Sequence, residues 1–152
     1  MSRVQLALNV SDLSQAIDFY SKLFNTSPAK VREGYANFAV ENPPLKLVLI
    51  EGGGQPGTLN HLGVEVESPE LVQNAITHLQ SSGLATDIEE ETTCCFAVQD
   101  KVWVNAPDGE PWEVYTVLAD ADSMTNASAT NESACCTTEA AQPVTLSPKA
   151  CC

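Results

Sequence analysis

Apolar positions along this chain first alternate and then recur at helical spacing, and the succession happens twice. Val4 to Val10 alternates loosely, as a strand does. Ser11 stands where a helix cap belongs, and Leu13, Ala16, Ile17, Tyr20, Leu23 and Phe24 predict an amphipathic helix that ends before Pro28. Strand-like runs follow at 31–34, 35–40 and 45–50, separated by Gly34 and by Asn42-Pro43-Pro44. After a glycine-rich connector, 51–60, the pattern starts again, with His61 to Val66 repeating the character of Gln5 to Val10. Ser68 caps, Pro69 takes the first helical position, and Leu71, Val72, Ala75, Ile76 and Leu79 form the predicted buried stripe, which Gly83 ends. Strands are predicted at 86–90, 96–104 and 112–117, with Pro107-Asp108-Gly109 as a turn. The predicted fold is α+β: two tandem βαβββ modules, about 3–51 and 60–118, forming a cupped mixed sheet in one domain, 1–118.

The repeats differ in length. From Gln5 to Lys46 is 41 residues, whereas from His61 to Glu113 is 52, so the second module is longer by about eleven. The excess falls around 89–99, which predicts a functional inserted loop carrying Cys94 and Cys95, lying away from the centre of the cup and mobile until it is loaded. Beyond Leu118 the composition turns to Ala, Ser, Thr and Asn, predicting a disordered tail, 119–152, whose pointed residues are Cys135, Cys136, Cys151 and Cys152.

Composition narrows the chemistry. Twenty acidic against seven basic residues give a net charge of -13, which argues against nucleic acid and anionic membrane surfaces as partners. No run approaches the ~18 apolar residues of a membrane span, so the reading is a cytoplasmic protein with reduced thiols. Adjacent cysteines make poor disulfides, because neighbouring Cα atoms lie about 3.8 Å apart and an unstrained bridge needs roughly 4.4–6.8 Å. Two soft thiolates side by side suit trivalent arsenic, cadmium, zinc or copper(I). Gly52 to Gly57 fits the dinucleotide spacing G-x-G-x-x-G, but a strand follows where a helix is required, and the segment reads as a linker.

Several motifs together resemble the vicinal oxygen chelate superfamily of glyoxalases, extradiol dioxygenases and antibiotic-resistance proteins. They are Val10-Ser11-Asp12-Leu13 followed by Phe19-Tyr20, Asn60-His61-Leu62-Gly63-Val64, and Pro107-Asp108-Gly109 leading to Trp112-Glu113-Val114. The resemblance implies metal ligands at Gln5, His61 and Glu113, with Lys46 at the fourth position used by glyoxalases. Three protein ligands and an open face suit iron(II) that binds oxygen and substrate together. With the Cys94-Cys95 pair, the chain is most similar to the arsenic-handling branch of the superfamily, the carbon–arsenic lyases and related cadmium-induced proteins. That similarity implies iron(II)- and dioxygen-dependent cleavage of trivalent organoarsenicals, such as methylarsenite and aromatic arsenicals, to arsenite, by a monomer or homodimer. Cys94 and Cys95 would bind the substrate, and the tail cysteines arsenite. Two other readings stay open: a non-catalytic thiol protein binding cadmium or arsenite, and a glyoxalase-like metalloenzyme.

Overall fold

The computed structural model describes residues 2–124. The first module comprises β1 (Arg3–Val10), α1 (Leu13–Phe24), β2 (Lys30–Arg32), β3 (Tyr35–Val40) and β4 (Leu45–Glu51). The second repeats it as β5 (Leu59–Glu65), α2 (Pro69–Ser81), β6 (Asp87–Cys94), β7 (Ala97–Asn105) and β8 (Pro111–Asp120). All eight strands join one mixed sheet in the order β2-β3-β4-β1-β5-β8-β7-β6, curled into a half-barrel. Within each module the first strand pairs parallel to the last, β1 with β4 and β5 with β8, and the modules meet where β1 runs antiparallel to β5.

Alternation assigns the two faces. On the convex face, Ala36, Phe38, Val40, Leu47 and Leu49 pack beneath α1 through Leu13, Ala16, Ile17, Tyr20 and Phe24. Under α2, Val72 and Ile76 pack on Val102, with Ala75, Leu79 and Val114 at the margin. Each such side chain, when fully buried, stabilises the fold by roughly 1.5–3 kcal/mol. The predicted stripes hold except at Leu23 and Leu71, which are 59% and 41% exposed. Ser68 caps α2 as predicted, accepting from the Leu71 amide, but α1 starts one residue late: the Asp12 carboxylate, not Ser11, accepts from the Gln15 amide. An ionised cap oxygen bonds an orphan amide more strongly than a hydroxyl does.

The extra length of the second module is not a loop. Strands β6 and β7 are 8 and 9 residues long, against 3 and 6 for β2 and β3, which absorbs most of the excess. Cys94 ends β6 opposite Ala97, and only Cys95 and Phe96 form the turn, with φ of 55° and 59°. Two left-handed residues are what a type I′ hairpin turn requires. In side-chain-bearing residues that conformation costs about 1–2 kcal/mol each.

The hairpin tip is tied down. Lys30 reaches from the first module to the Phe96 carbonyl at 3.0 Å and to the Asp120 carboxylate. The Ala121 amide bonds the Phe96 carbonyl, and the Cys95 amide bonds the Met124 carbonyl, each at 3.0 Å. Residues 119–124, expected to open the tail, therefore finish β8 and brace the hairpin. The remainder of that tail, with Cys135, Cys136, Cys151 and Cys152, lies outside the described residues. Among the described residues no helix is long and apolar enough to cross a membrane.

Candidate metal centre and cysteine hairpin

Cross-strand registers lay the concave face out in rows. Lys46, Gln5, Gly63, Glu113 and Trp103 stand side by side on β4, β1, β5, β8 and β7. Val48, Ala7 and His61 form the row on one side, and Arg3, Glu65, Tyr115 and Lys101 the row on the other. The two modules are thus offset: Lys46 is opposite Gln5, but Glu113 is opposite Gly63, two residues past His61.

Gln5, His61 and Glu113 are all buried and converge. The Gln5 Nε2 donates to Glu113 Oε1 at 2.7 Å and lies 2.9 Å from His61 Nε2, while His61 Nε2 and Glu113 Oε1 are 3.3 Å apart. Bonds of about 2.1 Å at right angles, as in an octahedral face, span about 3.0 Å between donors. The triangle thus has the dimensions of a facial donor set. Among the described residues no three His, Cys, Asp or Glu side chains gather for a metal, so the third donor of this set can only be an amide. Gln5 turns its nitrogen inward here, with its Oε1 accepting from the Tyr115 hydroxyl. Binding a cation requires the amide to rotate, after which Tyr115 can accept from Nε2 and donate to Glu65, 3.4 Å away. With that rotation the residues fit a divalent cation.

Charges around the site are matched in pairs. Burial alone would raise the Glu113 carboxyl, but the Lys101 ammonium 3.2 Å away outweighs it and holds the carboxyl well below the usual carboxylate range. Lys101 is itself fully buried and lies 5.3 Å from the Trp103 ring centroid, which stands edge-on to His61. Lys46 turns from Glu113 toward Glu65, at 3.8 Å, and over the Tyr115 ring; burial pulls its pKa down. Burial pushes the Tyr35 phenol up to about 12, and Tyr115 is raised for the same reason.

Gly63 lets Gln5 and Glu113 meet. A Cβ there would lie 3.1 Å from Glu113 Cγ and 3.3 Å from Gln5 Cβ and Nε2. Gly63→Ala should weaken metal binding by about 5–150-fold, if the roughly 1–3 kcal/mol that overpacking of this kind typically costs falls on the bound state. Calorimetric metal titration beside the unaltered chain checks it.

Cys94 is not on an outlying loop: it is 1% exposed and packs with Ala7, Tyr35, Val48, Ile50 and Phe96, with Cys95, Trp103 and Met124 against the cluster. Ala7 is the cross-strand partner of His61, so the cysteine cluster adjoins the convergence of Gln5, His61 and Glu113. The two sulfurs are 3.3 Å apart. Two bonds of about 2.3 Å, a typical thiolate bond length to a soft ion, meeting near a right angle span that distance. Lys101, Tyr115 and Glu65 escaped the sequence reading, and Asn60 and Gly63 entered it only as part of the motif around His61; alternation from Glu113 could have found Tyr115, but nothing in sequence marks a buried lysine.

The two βαβββ modules form a half-barrel with Gln5, His61 and Glu113 converging on its inner face, and the chain belongs to the Glyoxalase/Bleomycin resistance protein/Dioxygenase superfamily, matched over residues 3–114. It is 64% identical over 138 residues to a trivalent organoarsenical cleaving enzyme of Thermomonospora curvata, covering 90% of this chain and 89% of that one. It is also 64% identical over 124 residues to cadmium-induced protein CadI of Mycobacterium bovis, covering 82% of each. Among solved structures it resembles an extradiol ring-cleaving dioxygenase from B. fuscum, with a TM-score of 0.56 and 23% identity, over 79% of this chain and 34% of that one. The chain thus spans about a third of that dioxygenase, and the likeness is one of fold.

Proposed function

We propose that this protein cleaves the carbon–arsenic bond of trivalent organoarsenicals, methylarsenite and aromatic arsenicals included, to arsenite, with iron(II) as cofactor and dioxygen as co-substrate. One observation carries the reading: the converging Gln5, His61 and Glu113 side chains and a vicinal cysteine pair share one concave face, with Cys94 in the same cluster as Ala7, the cross-strand partner of His61. The name of the Thermomonospora curvata relative supports it.

Gln5 Oε1, His61 Nε2 and Glu113 Oε1 would hold the metal. Bound iron(II) supplies one-electron chemistry with dioxygen, which these side chains lack. Lys101 keeps the second oxygen of Glu113 engaged, so the carboxylate offers one donor atom and leaves positions open. Cys94 and Cys95 displace both hydroxyls of a monosubstituted arsenic(III): two As–S bonds form, two As–O bonds break, and the thiol protons leave with the hydroxyls as two waters. The carbon substituent remains on arsenic, presented to Gln5, His61 and Glu113. Tyr35, Ile50 and Phe96 keep water from it.

Anaerobic loading with iron(II), then methylarsenite with and without oxygen, tests the reading. Arsenite should form only with oxygen. A second reading, cadmium or arsenite binding without turnover, is favoured by the cadmium-induced relative, and uptake with no arsenite release in either sample would establish it. A chain ending at Met124 should turn over within about twofold of the full chain, the scale of changes that leave packing intact. One ending at Leu118 loses Asp120 and the 121–124 brace, and should not.

A further inference from the structure

The connector that reads as a mere linker reaches the candidate centre through side chains. Thr58 Oγ1 donates to the Gln55 carbonyl at 2.6 Å, and a carbonyl can only accept, so the Thr58 hydrogen is committed. Thr58 Oγ1 must then accept from Asn9 Nδ2, at 2.9 Å, which leaves Asn9 Oδ1 as an acceptor. Asn60 Nδ2 fills it at 2.9 Å and also faces the Gly53 carbonyl at 3.4 Å, which fixes the amide with Oδ1 on the other side. That oxygen lies 2.7 Å from His61 Nδ1. Every donor and acceptor in the chain is thereby assigned, and the last one requires a hydrogen on His61 Nδ1.

We infer that Asn9 and Asn60 are positioning residues that hold His61 in its Nδ1–H tautomer, so that the Nε2 lone pair faces Gln5 and Glu113. Two backbone carbonyls of the connector set the direction of the whole relay. Its frame is built for this: the Asn9 amide bonds the Thr58 carbonyl at 3.0 Å, and the Gly57 amide bonds the Asn9 carbonyl at 2.8 Å. Gly54 is required by close approach, since a Cβ there would lie 2.8 Å from Asn9 Nδ2. The tautomer is a property of the metal-free protein. Its consequence for metal binding rests on the proposed function, because imidazole ligands owe ring orientation and basicity to the partner of their second nitrogen.

The test is nitrogen-15 NMR of the imidazoles at a pH where they are neutral, together with anaerobic iron(II) titration. The chain has two histidines, and His78, exposed on α2, reports in the same spectrum whether the fold is unchanged. In the unaltered protein His61 should carry its hydrogen on Nδ1. Asn60→Ala and Asn9→Ala should each shift it toward the Nε2–H form and weaken iron(II) binding by about 10–100-fold. Asn9→Asp, which keeps the acceptor for Asn60, should retain the original tautomer. Nε2–H in the unaltered protein, or an unchanged tautomer in folded Asn9→Ala and Asn60→Ala, overturns the relay. Failure of the unaltered chain to bind iron(II) overturns the functional reading and leaves the NMR result standing.

Discussion

Glu113→Ala should abolish both iron(II) binding and arsenite production, and it should also destabilise the fold by about 3–5 kcal/mol, because it strands the buried Lys101 ammonium without its counter-charge. That cost is a large share of the roughly 5–15 kcal/mol by which a domain is stable. Loss of activity in this variant alone therefore says little about ligation. The pair Glu113→Gln with Lys101→Met separates the two effects. With neither charge buried, the denaturation midpoint should return close to that of the unaltered chain while iron(II) affinity stays lost. His61→Ala should lose metal without the large penalty, since it leaves the Glu113–Lys101 pair in place. A double variant that regains iron(II) binding along with stability would exclude Glu113 from the donor set.

The second large effect divides the two cysteines. Either Cys94→Ser or Cys95→Ser should reduce capture of an aryl arsenical more than about tenfold, a loss of at least 1.4 kcal/mol, because one thiolate cannot occupy two positions on arsenic. Their effects on stability should differ. Cys94 is packed among Tyr35, Ile50 and Phe96, so a serine hydroxyl there should cost about 1–3 kcal/mol unless it finds a partner. Cys95 sits in the turn and is only partly buried, and its serine variant should unfold at nearly the original urea concentration. Cys94→Ala is the control: small and apolar, it should restore much of the stability and none of the capture. Equal midpoints for both serine variants would show that the Cys94 environment is more hydrated than its packing indicates.

Much of the fold was legible because hydrophobic period alone separates strand from helix, and the repeat at His61 announces the second module. Ser68-Pro69 and the stripe from Val72 to Leu79 placed α2 closely. The hairpin was not legible. Type I′ turns are signalled by Asn-Gly or Asp-Gly, and Cys95-Phe96 is neither, so the extra residues read as a loop when most of them lengthen the two strands of the hairpin. For the site, the family resemblance pointed to Gln5, His61 and Glu113, which the registers and hydrogen bonds bring together. Lys101 and the Asn9–Asn60 relay depend on which strand lies beside which. That information belongs to the registers β7–β8 and β1–β5, and no local pattern contains it.

Among the described residues, β2 and β6 form the two margins of the half-barrel, and both bear on self-association. At one end β2 is three residues long, too short to template another strand. At the other, β6 offers eight residues, but Asp87, Glu89, Glu90 and Glu91 place four carboxylates along it, and Glu91 breaks the ladder with φ of 47°. A second copy approaching edge to edge would meet the same four charges facing its own. The acidic run thus acts as a guard against polymerisation through the sheet, and any pairing of chains has to use a surface other than these margins.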